Sequence, residues 1–153
     1  MRVKRERSGA TITILVPEPA ASLKTLARRL APNGTLLIRV PVADSHARRA
    51  YGTNWYQWDA PRHLYLHTRK SMELLAAGAG MEVAGVVHDS SGQQFSSSEL
   101  YVRAVPFVEH GKYRPGNGPS AFTQSEWDGF QARAAELNRK GEGDSACFYL
   151  RAR

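Results

Sequence analysis

The chain has 153 residues, 42% of them hydrophobic, and a formal net charge of +7. That is enough for one domain with a real core, too little for two comfortable ones, and too apolar for wholesale disorder. No apolar run approaches the roughly 18 residues that span a bilayer, and the single Cys147 excludes an internal disulfide framework.

The basic start Met1-Arg2-Val3-Lys4-Arg5-Glu6-Arg7 leads into Ser8-Gly9 rather than an apolar stretch, so it does not read as a secretory leader. A cytoplasmic location is expected. Beyond those seven residues the arginines are scattered and interleaved with carboxylates. A nucleic-acid face concentrates its charge on one element, so solvated surface is the favoured reading. Residues 1–11 read as a basic disordered arm, and residues 12–153 as the folded portion.

Thr11-Ile12-Thr13-Ile14-Leu15-Val16 is a β-branched run stopped by Pro17 and Pro19, and predicts a strand. Glu18 and Pro19 suit a first helical turn, where the missing proline N–H costs nothing. Leu23, Leu26, Ala27 and Leu30 then lay an apolar stripe on that helix. Pro32-Asn33-Gly34 ends it, because Asn and Gly accept the left-handed backbone that a helix end demands. Leu36 to Val40 is short and nearly all apolar, as expected of a strand covered on both faces.

Val42 to Tyr51 predicts a short helix and Gly52 to Arg62 an irregular loop. Thr68 is placed to cap a helix running to about Ala77, ended by Gly78 or Gly80. Met81 to Val87 predicts another strand, and Ser96-Ser97-Ser98-Glu99 a helix start. Gly111 to Ser120 reads as a loop. Trp127, Phe130, Ala134 and Leu137 recur at helical spacing before Gly141 and Gly143, and Ala146 to Leu150 closes the chain as a strand with Cys147 as a buried, inert thiol. The alternation of strands and helices predicts an α/β fold.

Two stretches carry the functional reading. Leu30-Ala31-Pro32-Asn33-Gly34-Thr35-Leu36-Leu37-Ile38-Arg39-Val40-Pro41 resembles the helix end, Pro-Gly-Gly-like turn and fifth strand of class I S-adenosylmethionine-dependent methyltransferases. Asp59-Ala60-Pro61-Arg62-His63-Leu64 resembles the Pro-Arg-His element that follows a tryptophan-bearing loop in one subgroup of them. The likeness covers about Val16 to Val87, and the last strand loosely.

It implies a Rossmann-like methyltransferase sheet that is incomplete, with strands 4–7 of the order 3-2-1-4-5-7-6 and their flanking helices, the last strand antiparallel. It also implies methyl transfer from S-adenosylmethionine to a small acceptor. The family opens with a strand and a glycine-rich loop that brings the cofactor to a helix N-terminus. No such loop stands ahead of Val16, so a truncated or split form is expected, inactive and without strong cofactor affinity by itself. No cofactor ligand is assigned.

Within the chain, Asp59, Arg62 and His63 are the candidate catalytic cluster, with His63 as general base for a hydroxyl or amine. Trp55 and Tyr56 are the candidate acceptor-binding residues. The alternative for the first three is a loop anchor, Arg62 on Asp59 and His63 on backbone, which is favoured because acid–base geometry is invisible in sequence. For the tryptophan loop the alternative is a hydrophobic plug, equally weighted. His63 and His67 lack an obvious third ligand, so no metal is assigned.

The incomplete sheet leaves strand 4 as an open edge, which invites a complementary chain or self-association. Two other readings remain: a non-catalytic basic module using the arm on an anionic partner, and a remnant that needs a partner chain.

Overall fold

A computed structural model describes residues 10–13, 17–59, 63–113 and 121–153. Two compact units divide them, one built from residues up to 43, 60–87 and 145–153, the other from 44–59 and 88–144. Among the described residues no helix is long and apolar enough to cross a membrane.

The first unit holds a four-stranded sheet. Its strands are β1 (Ala10–Thr13), β2 (Leu36–Pro41), β3 (Met81–His88, whose last residue falls in the second unit) and β4 (Ser145–Ala152). Their spatial order is β1-β2-β4-β3. β1 runs parallel to β2, pairing Ala10 with Leu36 and Thr13 with Arg39. β4 runs antiparallel to β2, from Leu36 opposite Leu150 to Pro41 opposite Ser145. This is the 4-5-7-6 order with a reversed last strand that the resemblance implies, and it makes the chain α/β as predicted.

Pairing and pleat together fix the core. Leu36, Ile38 and Val40 point to one face of β2, and their partners Leu150, Phe148 and Ala146 point the same way, all six buried. On the opposite face Arg39 is exposed, and Leu37 and Pro41 are only half-buried. The expectation of a strand covered on both faces is therefore corrected. Cys147 is corrected with it: it stands opposite Arg39 on the half-buried face and is not a core thiol.

Helices α1 (Pro19–Ala27) and α3 (Arg69–Gly78) cover the apolar face with Leu23, Met72 and Ala76. Burying a side chain the size of Leu23 or Met72 contributes about 1.5–3 kcal/mol. Pro19 stands in the first turn of α1, as expected. The helix ends three residues earlier than the apolar stripe suggests, because the last amides tighten: Arg29 and Leu30 donate to the carbonyls three residues back, Leu26 and Ala27. Leu30 still packs on the core.

The turn then behaves as its residues require. Asn33 takes φ 60°, and Gly34 passes so close to the preceding chain that a Cβ there would lie 2.8 Å from the Ala31 carbonyl oxygen. Thr68 caps α3 in a reciprocal box with Ser71.

β1 begins one residue earlier than expected, and Ile14, Leu15 and Val16, like most of the basic arm, lie outside the described residues.

The second unit contains α2 (His46–Tyr51), α4 (Gln93–Val102) and α5 (Gln124–Lys140). Val42 and Ala43 are not helical; Val42 makes an isolated bridge with His67 in the first unit. Ser45 caps α2 by accepting from the Arg48 amide. Phe95, Ala134 and Leu137 form the buried centre, with Phe130 stacked on Phe95 at 6.0 Å.

Two amide side chains seven residues apart on α5 clasp the entry to α4. Gln131 accepts from the Gly92 amide, and Asn138 both accepts from the Ser90 amide and donates to its carbonyl. That clasp moves the start of α4 ahead of the serines, so Ser96–Ser98 are not a cap but lie inside the helix, where Ser98 Oγ donates to the Gln94 carbonyl. Chain that reads as loop from Gly111 belongs, through Tyr113, to a 3-10 stretch over Phe107–Tyr113. Residues 114–120 lie outside the described residues.

Candidate acceptor-side site

The tryptophan loop begins where α2 stops at Gly52, whose φ of 55° suits glycine. Two 3-10 turns follow, Gly52–Asn54 and Tyr56–Trp58, with Trp55 as the hinge between them. The three aromatic residues of this loop have different surroundings. Trp55 is fully buried, and its indole N–H donates to Asp144 Oδ2 at 3.0 Å, itself almost wholly buried. An indole carries a large apolar body and a single donor, so a buried one needs such an acceptor.

Trp58 meets Trp55 edge-on at 6.0 Å, is 38% exposed, and donates to the Gly52 carbonyl. The Arg48 guanidinium stands 4.7 Å over its ring. Tyr56 is half-buried; its amide donates to Ser98 Oγ, which ties the loop to α4.

Asp59 closes the second 3-10 turn with φ 35° and ψ 41°, a left-handed position that aspartate tolerates. His63 opens the described part of the segment leading to α3 and is half-buried. Arg62 lies outside the described residues. The segment from His63 to Thr68 is not helical, so His63 and His67 do not share a helix face.

His67 is buried, and that burial holds its imidazole below the usual histidine range. Its Nδ1 lies 3.4 Å from Ser71 Oγ and its ring stacks on Tyr65. No group of three potential metal ligands occurs among the described residues.

Several partners of this loop carry no sequence signal. Asp144 lies 89 residues from Trp55. Tyr51 donates its hydroxyl to Glu99 Oε1 at 2.8 Å; burial and then that bond push the phenol well above its ordinary range, so it stays protonated. His46 is held below the usual range by burial, then by Arg133 and Arg49, against the opposing pull of Glu142. Its Nε2 accepts from Arg133 at 2.8 Å, the geometry of a neutral ring. These bonds order the scaffold of the loop. They assemble no nucleophile–base pair, so no proton-transfer step is derived from them.

The described residues hold no glycine-rich cofactor cradle; the strand-to-helix link from β3 to α4 carries the single Gly92. Such a cradle needs a strand, a glycine loop and a helix N-terminus in that order. Here Gly78 and Gly80 follow α3 and precede β3, while Gly141 and Gly143 follow α5 and precede β4. The order is reversed in both. Helix α1, which does follow a strand, opens with Glu18 and Pro19, an acid and a residue without an N–H.

Residues 15–86 match the sequence profile of a family described as a methyltransferase domain. Over this stretch, a little under half of the chain, the sequence is similar to a methyltransferase domain. The match runs from before α1 to β3 and takes in the Asn33 turn, β2, the tryptophan loop and α3. No curated protein matches the chain.

Among solved structures, mycolic acid cyclopropane synthase CmaA1 complexed with SAH and CTAB shares 14% identity at a TM-score of 0.45, covering 94% of this chain and 55% of that one. A protein from Galdieria sulphuraria described as a sarcosine dimethylglycine methyltransferase shares 13% at 0.43, covering 92% and 52%. The chain thus spans about half the length of those structures.

Proposed function

We propose that this chain supplies the acceptor-side portion of a cytoplasmic S-adenosylmethionine-dependent methyltransferase acting on a small molecule. The cofactor-binding part would come from further polypeptide, in the same protein or a partner chain, that pairs along the edge of β1 facing away from β2. The observation that carries the reading is the sheet order β1-β2-β4-β3 with an antiparallel β4. In the order 3-2-1-4-5-7-6 the strand holding the cofactor would pair on the side of β1 away from β2, where the described residues place no strand. The methyltransferase-domain match supports it from an independent direction.

In this reading His63 is the candidate base, Asp59 and Arg62 are the other candidate catalytic residues, and Trp55 and Tyr56 are the candidate acceptor-binding residues. S-adenosylmethionine, when bound, supplies the methyl group. This chain positions and deprotonates the acceptor.

Calorimetric titration of the chain alone with S-adenosylmethionine tests the division of labour. The expected outcome is no binding up to about 1 mM, a ceiling of roughly 4 kcal/mol. Micromolar affinity would place a complete cofactor site within this chain and overturn the proposal.

A further inference from the structure

The second unit holds a partly open cavity of about 140 Å³ that is separate from the tryptophan loop. Its walls include the aromatic rings of Phe107, Phe122 and Trp127, and its polar side chains are Gln93, Ser96, Ser97, His110 and Tyr113. Both serines and the histidine are more than nine-tenths buried.

His110 is held in one orientation. Tyr101 and Phe107 meet its ring edge-on at 5.0 and 5.1 Å. Its Nε2 lies 3.0 Å from the Val105 carbonyl oxygen. A carbonyl only accepts, so Nε2 carries the hydrogen, and in the neutral ring Nδ1 then presents a lone pair. That Nδ1 is buried and has no hydrogen-bond partner among the described residues. A buried polar atom left unpaired costs about 1–3 kcal/mol. The residues lining the cavity come from α4, the 3-10 stretch, the start of α5 and the residue Phe122 just before it.

We propose that this cavity binds a small single-ring aromatic compound bearing a hydroxyl, of the phenol class, whose O–H donates to His110 Nδ1. Size, walls and polarity agree. A dry apolar cavity of roughly 150 Å³ accommodates one benzene ring, so this volume takes one ring and no more. Aromatic walls favour a ring in edge or offset contact. The unpaired lone pair selects a donor over an apolar ring of the same shape, and Ser96 and Ser97 offer hydroxyls to a second polar substituent. The site is a binding site only, and it stands whether or not the chain takes part in methyl transfer.

The test compares phenol with toluene on the full chain, followed by calorimetry and by the ¹⁵N shift of His110 Nδ1. Phenol should bind about 3- to 10-fold more tightly than toluene, the value of one net hydrogen bond. The Nδ1 resonance should move on adding phenol and stay put with toluene. In His110→Phe the two affinities should converge. If that variant does not fold, the two wild-type readouts decide alone. Equal affinities in the wild type, binding of neither compound, or an unmoved Nδ1 resonance with phenol would each overturn the proposal.

Discussion

Breaking the bond between Trp55 and Asp144 separates a structural plug from a ligand wall. The indole N–H and the carboxylate oxygen are 3.0 Å apart, with Trp55 wholly buried and Asp144 1% exposed. A hydrogen bond to a charged group contributes about 1.5–3 kcal/mol, and removing the donor leaves a buried carboxylate short of a partner. Trp55→Phe keeps most of the ring but loses the N–H and some volume, for an expected loss of about 2–4 kcal/mol. Asp144→Ala should cost a similar amount. Because both variants remove one interaction, the double variant should cost less than the sum by about 1.5–3 kcal/mol. Urea unfolding followed by far-ultraviolet circular dichroism measures all three without relying on the deleted fluorophore. Additivity within roughly 0.5 kcal/mol would refute the plug.

The helix-end turn makes a second test. Asn33→Gly should leave stability unchanged or raise it, while Asn33→Ala should lower it by about 1 kcal/mol, the penalty of a Cβ in left-handed backbone. Gly34→Ala should cost about 1–3 kcal/mol, since its methyl meets the Ala31 carbonyl oxygen; equal urea midpoints for Gly34→Ala and the wild type would contradict the turn geometry. His67 predicts a pH dependence. Its folded pKa lies below the unfolded 6.5, so its contribution is complete above that value and is lost as pH falls toward and through the folded one. The urea midpoint should therefore drop between about pH 7.5 and 5.5, and less steeply in His67→Phe.

The sequence made the scaffold readable where one residue type has one structural use. Pro32-Asn33-Gly34 has few alternatives to a helix stop, Thr68 few to a cap, and the apolar run after Thr35 few to a strand. Together they placed β2 and α3 almost to the residue. Where a side chain answers to distant partners, local pattern was insufficient. Ser96–Ser98 look like a cap but sit inside α4, because Gln131 and Asn138 organise residues 90–92 instead. Trp55 and Trp58 are equivalent in sequence, and only the distant Asp144 makes one buried while the other faces solvent. The His110 cavity left no trace, because its lining comes from separate elements, none with a motif of its own.

Hydrogen exchange at the sheet edge tests the central claim most directly. β2 is flanked by β1 on one side and β4 on the other, whereas among the described residues β1 pairs only with β2. If β1 is the open edge of an incomplete methyltransferase sheet, amides of Ala10–Thr13 in the monomeric chain should exchange roughly 100-fold faster than those of Leu36–Val40, as expected for a locally opening edge. Equal protection of the two strands in a monomer would contradict the account.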